Sequence, residues 1–183
     1  MLKNSSIKRL CLCAMCIALC YVLPLAFHAL ALGSAFSPMH IPVLLCGIFC
    51  GPLYGLLCGA LGPVLSSILS GMPPANKLIS MIPELVTYGF VIGLLAQCIR
   101  TKFRVLDIYL SLICAMLAGR VIGGIASALL YLSKSDSYSF TMFVNSYLLT
   151  SFPAILLQLV FIPLLILALE KAKVLPNPYT ATK

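Results

Sequence analysis

Long apolar runs follow one another along the chain, and polar residues are concentrated in the short segments between them. A run of about 20 apolar residues is long enough to cross the hydrocarbon core of a bilayer as a helix. The pattern therefore predicts an all-α membrane protein in which residues 1–183 form one domain, a bundle of six transmembrane helices. The predicted spans are approximately Arg9–Leu32, Ile41–Cys50 with a continuation towards Gly55, Gly55–Leu69, Ile82–Cys98, Leu106–Leu132 and Phe143–Leu169.

The composition supports this class. Apolar residues make up 62% of the chain and charged residues only 9%, whereas a soluble domain carries about 25% charged residues. This deficit excludes an ordinary soluble domain and a disordered chain. All nine cysteines lie in apolar runs, which favours packing residues over a disulfide framework. The four cysteines from Cys11 to Cys20 have no neighbouring histidine or carboxylate, so we expect no metal site and no cofactor.

The few basic residues indicate how the bundle is oriented. With six spans, both termini lie on one side of the membrane, together with the loops after the second and fourth spans. Nine Lys and Arg residues fall on that side, two fall on the other, and Arg120 lies within a span. Because Lys and Arg accumulate on the cytoplasmic side, we expect both termini to be cytoplasmic. The net charge of +8 is then an orientation signal and implies no nucleic-acid partner.

Small residues recur at helical spacing in three places. They are the pair Ala14-x-x-x-Ala18, the repeat Gly47, Gly51, Gly55 and Gly59, and the row Ala115, Gly119 and Gly123. Such rows let helix backbones approach closely in lipid. For most of these residues we expect packing inside the bundle.

Polar residues at membrane depth are the candidates for a binding site, because polar groups are costly in hydrocarbon. Glu84 lies about two residues into the fourth predicted span, and Arg120 lies about fourteen residues, or roughly 21 Å, into the fifth. Both estimates place these side chains in the outer half of the bundle. The candidate substrate-binding residues are Arg120, Glu84, Asn145, Tyr88, His40, Asn76 and Lys77.

Simpler structural roles stay open for these candidates. Glu84 and Arg120 would neutralise each other as a structural ion pair, or Arg120 would bind a substrate carboxylate or phosphate through its guanidinium. His40 fits a helix-start residue as well as a ligand contact, and Tyr88 fits a packing aromatic. Gln158 lies deeper, and we expect it to form an interhelical hydrogen bond.

The sequence lacks the residue patterns that membrane enzymes need. It contains no H-E-x-x-H metal motif, no G-x-S-x-G nucleophile turn, no pair of intramembrane aspartates and no P-loop. We therefore predict no catalytic residue and no ATPase site. Two alternatives remain: a membrane-embedded enzyme or scaffold, with a candidate nucleophile such as Ser67, and a solitary secondary transporter or channel. The chain is short for the second alternative and shows no convincing inverted repeat.

Motifs in the first half of the chain are similar to those of one family of membrane proteins. They are Ala14-x-x-x-Ala18, His40-Ile41-Pro42-Val43, Gly51-Pro52-Leu53-Tyr54-Gly55 with Gly59, and the stretches Ser37–Val43 and Gly71–Pro74. With the length and the six spans, they resemble the S components of energy-coupling factor (ECF) transporters. These are the substrate-binding membrane subunits of prokaryotic vitamin importers. The stretches Ser37–Val43 and Gly71–Pro74 resemble the vitamin-uptake branch of this family. The resemblance to the family as a whole covers essentially the whole chain.

The resemblance implies a transport mechanism in a prokaryotic plasma membrane. An S component binds a vitamin or related micronutrient at its outer side and associates with a transmembrane T component and two cytoplasmic ATPase subunits. It then topples in the membrane and carries its substrate inward. The resemblance assigns Ala14 and Ala18 to docking on the T component, and the segments His28–Met39 and Met72–Lys77 to gating and ligand contact.

The substrate is left open by the resemblance. Arg120 together with Glu84 favours a small polar ligand with an anionic or zwitterionic group. Niacin, pantothenate and pyridoxine-type compounds fit that description, and queuosine precursors also stay open.

Overall fold

The computed structural model describes residues 6–29, 38–99, 103–133, 145 and 151–171. Strands are absent from this part of the chain, in agreement with the predicted all-α class. Five of its helices are long and apolar enough to cross a membrane. In chain order the helices are α1 (Ser6–Ala29), α2 (His40–Cys50), α3 (Pro52–Ser70), α4 (Ala75–Cys98), α5 (Arg104–Ser133) and α6 (Phe152–Lys171).

The second helix is as short as its predicted span and cannot cross the membrane by itself. α2 has 11 residues and is therefore about 16 Å long, whereas the hydrocarbon core is about 30 Å thick. Every residue of α2 except Phe49 is buried, and the helix contacts α1, α3, α4 and α6. A helix that is apolar on all sides is stable inside a bundle. α2 is thus a short central helix sheltered by its neighbours.

Contacts at both ends of α2 define its direction relative to α1. The thiol of Cys50 donates to the carbonyl oxygen of Arg9 at 3.5 Å. At the other end, the thiol of Cys20 donates to the carbonyl oxygen of Met39 at 3.8 Å. The start of α1 therefore lies beside the end of α2, and the two helices are antiparallel.

Glycines bring α2, α3 and α4 together at backbone distance. A methyl group placed on Gly47 would lie 2.5 Å from the carbonyl oxygen of Gly89, and one placed on Gly55 would meet the same oxygen. Gly59 packs in the same way against the backbone of Leu85. Because Gly55 meets Gly89 and Gly59 meets Leu85, α3 and α4 are antiparallel. The glycine repeat in the sequence thus serves helix packing, as expected.

The fourth helix begins earlier than the sequence predicted. α4 starts at Ala75, seven residues before the predicted start of the fourth span. The preceding turn is held by α3, because the hydroxyls of Ser66 and Ser67 donate to two carbonyl groups of that turn. Glu84 therefore lies nine residues after the first residue of α4, at a depth of about 14 Å. The prediction that Glu84 lies about two residues into its span was wrong.

The fifth helix runs antiparallel to the fourth. Gly119 of α5 packs against the ring of Tyr88, and Gly123 packs against Glu84, so residues later in α5 meet residues earlier in α4. Consecutive helices alternate in direction from α1 to α5, so α1 and α5 start at the same end of the bundle. Basic residues lie at both starts, namely Lys8, Arg9 and Arg104. The sixth predicted span begins at Phe143, which lies outside the described residues.

Replacing Gly89 with alanine is expected to destabilise the bundle by about 1–3 kcal/mol, because the added methyl group would collide with the backbone of Gly55. Gly62→Ala is the matched control. It also lies within a helix, and its methyl group would meet the side chain of Cys20 at 3.0 Å rather than a backbone. Thermal unfolding of both variants in one detergent measures the difference. Equal melting temperatures for the two variants would contradict the close packing at Gly89.

Candidate functional site

Three polar side chains meet inside the bundle, between α2, α4 and α5. The hydroxyl of Tyr88 donates to Oε1 of Glu84 at 3.2 Å. Nε2 of His40 lies 3.6 Å from the same oxygen. The rings of His40 and Tyr88 meet edge to face, with centroids 5.3 Å apart and planes at 64°. These three residues, His40, Glu84 and Tyr88, are called the polar cluster below.

The helix pattern explains why these residues meet. Glu84 and Tyr88 are four residues apart on α4, so they lie one turn apart on the same face. His40 is the first residue of α2. Because Gly47 of α2 contacts Gly89 of α4 further along both helices, α2 runs parallel to α4. Its first turn therefore reaches the level of Glu84.

The polar cluster is almost completely enclosed. The exposed fraction is 7% for His40, 8% for Glu84 and 0% for Tyr88. A buried carboxylate costs free energy unless other groups compensate it. The Tyr88 hydroxyl and the His40 ring supply that compensation at a single carboxylate oxygen, Oε1 of Glu84.

Two glycines of α5 form the side of the site opposite α2. A methyl group placed on Gly119 would lie 2.7 Å from ring carbons of Tyr88. One placed on Gly123 would lie 3.1 Å from Oε2 of Glu84. The absence of side chains at these positions lets α5 pack directly on Glu84 and Tyr88. The sequence predicted both glycines as packing residues, and the structure shows which groups they accommodate.

Arg120 lies on α5 between these two glycines and is 8% exposed. The structure places Arg120 on the helix that packs against the polar cluster. Its contact with a ligand stays a prediction.

The other candidate residues are exposed. Asn76 and Lys77 are exposed in the first turn of α4, about 10 Å along the helix from Glu84. Asn145 is also exposed. On α1, Ala14 and Ala18 are both exposed on the face away from the buried residues Cys13, Cys16 and Cys20.

Two buried polar residues, Asp107 and Ser111, were not identified from the sequence, whereas a third, Gln158, was. Asp107 and Ser111 are buried one turn apart on α5, and Gln158 is buried on α6. Within the described residues, Oγ of Ser111 and Oε1 of Gln158 have no hydrogen-bond partner. The interhelical hydrogen bond expected for Gln158 is therefore not made by its side-chain oxygen. The four-residue spacing of Asp107 and Ser111 in an apolar run is the sequence signal that could have identified this pair.

The buried cysteines pack α1, α2 and α3 together. The thiols of Cys13 and Cys46 both donate to the carbonyl oxygen of Tyr54, at 3.6 and 3.5 Å. All the cysteines of the described helices are free, and no group of His, Cys, Asp or Glu in these helices could hold a metal ion. The buried cysteines are Cys13, Cys16, Cys20, Cys46, Cys50 and Cys58. These six confirm the prediction of packing residues, whereas Cys11, Cys98 and Cys114 are exposed and the prediction was wrong for them.

The fold and the site define a multi-pass helical membrane protein with polar groups enclosed in its interior. Comparison with protein families matches residues 8–170 to the family model described as "ECF transporter, substrate-specific component". The chain belongs to this family, which confirms the resemblance to the S components of ECF transporters. Comparison with curated proteins and with solved structures gives no match. Family membership makes the chain a transport subunit rather than an enzyme.

Tyr88→Phe is expected to lower the free energy of unfolding by about 1.5–3 kcal/mol, because it removes a hydrogen bond to a buried charged group. The phenyl ring keeps its packing against Gly119. Tyr109→Phe on α5 is the control, since Tyr109 is 37% exposed. Thermal unfolding in detergent compares the two variants. A Tyr88→Phe protein as stable as the Tyr109→Phe protein would contradict the bond to Glu84.

Proposed function

We propose that this S component binds a small vitamin-type molecule in the outer half of its bundle and delivers it inward with a T component and two ATPase subunits. The polar cluster carries the proposal. It holds a carboxylate, an imidazole and a phenol together about 14 Å from the start of α4, inside helices that are mostly apolar.

Energetics support a binding role for the polar cluster. Ionisable groups at membrane depth are costly and are typical of substrate or ion pathways. Packing alone would be served as well by apolar side chains of similar volume. The presence of His40, Glu84 and Tyr88 in the interior is therefore best explained by a ligand that these residues bind.

Charge supports the proposed orientation. Lys8, Arg9 and Arg104 lie at one end of the bundle, and basic residues collect on the cytoplasmic side. The opposite end, where α2 and α4 begin, would then face outward. In this orientation the polar cluster lies in the outer half of the bundle, and a ligand reaches it from outside.

The outer face of α1 supports docking on a T component. Ala14 and Ala18 are exposed and four residues apart, so they form a flat strip on one side of the helix. A second transmembrane helix can approach such a strip closely and can also separate from it. This property suits a subunit that topples during each transport cycle.

The buried charged residues indicate which kind of ligand would bind. Glu84 and Arg120 are both buried, and together they suit a small molecule that carries opposite charges or an anionic group. Niacin, pantothenate and pyridoxine-type compounds are the substrates that we propose to test first.

Native mass spectrometry of the detergent-solubilised protein is the direct test. We expect a bound small molecule, or tight binding of one vitamin from a panel of niacin, pantothenate, pyridoxine, thiamin, riboflavin and biotin. Failure to bind any small molecule, combined with gradient-driven transport by the single chain in liposomes, would instead establish a solitary transporter.

Arg120→Ala is expected to weaken binding of that molecule by about tenfold or more, because it removes a charged hydrogen-bond donor. Arg120→Lys, which keeps the charge, should retain part of the affinity. Isothermal titration gives the affinities, and size-exclusion chromatography gives the yield of folded protein. If Arg120→Ala reduces folded protein while the remainder binds with unchanged affinity, Arg120 has a structural role.

Ala18→Leu is expected to weaken assembly with the T component at least tenfold and to leave ligand affinity unchanged, because a large side chain would hold the helices apart. Ala168→Leu on α6 is the matched control, since Ala168 is also exposed. Co-purification with the T component and ATPases measures assembly. Equal recovery with both variants would place the docking surface elsewhere.

A further inference from the structure

Gln158 carries an unpaired polar atom in the interior of the bundle. Its side chain is 1% exposed, and within the described residues its Oε1 has no hydrogen-bond partner. A buried amide oxygen without a partner loses its hydration and gains no bond in exchange. No water is available in the hydrocarbon region to replace the missing partner. An unpaired amide of this kind lowers the stability of the bundle unless another group binds to it.

The position of Gln158 on α6 shows the direction in which its side chain points. Ala154, Gln158, Ile162 and Ile166 are buried at intervals of four residues, so they form the inner face of α6. α6 contacts α2 and α5, and its inner face is turned towards them. Ala154 and Ile162 lie one turn away from Gln158 on either side and are apolar, so the inner face of α6 offers the amide no side-chain partner.

Helix lengths place Gln158 at the depth of the polar cluster. α6 ends at the basic residue Lys171, which places its end beside the basic starts of α1 and α5. Gln158 lies 13 residues before Lys171, or about 20 Å from that end of the bundle. Glu84 lies 14 residues before Cys98, the last residue of α4, or about 21 Å from the same end. The amide is thus level with the polar cluster, on a helix that packs against α2 and α5.

We propose that Gln158 contacts the substrate of this S component and that its Oε1 accepts a hydrogen bond from it. This inference rests on the proposed function and refines it. The side chain of glutamine is uncharged, and its oxygen is an acceptor. The substrate must therefore present a hydroxyl or N–H group towards α6, in addition to any charged group that it carries.

This requirement divides the candidate substrates by chemistry. Pyridoxine carries hydroxyl groups, and pantothenate carries hydroxyl groups and an amide N–H. Thiamin, riboflavin and biotin also carry such donors. Nicotinate at neutral pH carries acceptors alone, so it cannot donate to Oε1 of Gln158. We therefore expect one of the donor-bearing vitamins, rather than nicotinate, to bind.

The substitution Gln158→Met tests the contact, because methionine has nearly the shape of glutamine and lacks its amide. The chain has two glutamines, and Gln97→Met near the end of α4 is the matched control. Isothermal titration with the donor-bearing vitamins gives the affinities of the wild type and both variants. We expect Gln158→Met to weaken binding about tenfold or more and Gln97→Met to leave it unchanged. Equal affinities for the two variants would overturn the contact.

Thermal unfolding without ligand distinguishes a ligand contact from a structural role. If the amide has no partner within the protein, its removal relieves the cost of burying it. We therefore expect Gln158→Met to raise the melting temperature of the ligand-free protein by about 2–4 °C, although it weakens binding. A lower melting temperature for Gln158→Met would show that the amide has a structural partner and would overturn the proposal.

The outcomes for the wild type separate this inference from the proposed function. If the wild type binds nicotinate alone, or if Gln158→Met binds a donor-bearing vitamin as tightly as the wild type does, the contact through Gln158 is wrong and the proposed function stands. If the wild type binds none of the vitamins and transports a solute by itself in liposomes, the proposed function fails, and the contact fails with it.

Discussion

The contact between backbones at Gly47, Gly55 and Gly89 is the constraint on which the rest of the structure depends. It places α2, α3 and α4 closer together than any side chain would permit. In a membrane, where apolar surfaces gain little by leaving lipid, such close packing is a main source of helix association. The short helix α2 is held inside the bundle by this contact, although it is too short to cross the hydrocarbon core by itself.

The position of the polar cluster follows from that contact. α2 is parallel to α4 and in register with it at Gly47 and Gly89, so its first residue, His40, arrives beside Glu84 and Tyr88. Gly119 and Gly123 then let α5 close over the same side chains. Close packing of small residues thus creates an enclosed site, and polar groups interact more strongly there than they would in water.

Different faces of the bundle have different roles in the proposed transport cycle. The buried cysteines of α1 face α2 and α3, where small thiols fill the interface and donate to backbone carbonyls. The opposite face of α1 presents Ala14 and Ala18 to the surroundings. α1 can therefore stay attached to its own bundle while its outer side meets and leaves another subunit.

Motifs in the first half of the chain indicated the family. The apolar runs and the small charged fraction were enough to determine the all-α membrane class and most of the helices. They act locally, since the length of an apolar run decides whether it can span a bilayer. The candidates His40, Glu84 and Tyr88 were also identified from the sequence, because polar groups stand out in apolar runs. Their mutual contacts, the burial of α2 and the depth of Glu84 were decided by the tertiary structure alone. These features depend on which helices pass close to one another and on serine hydroxyls that hold a turn, and neither is encoded in local hydropathy.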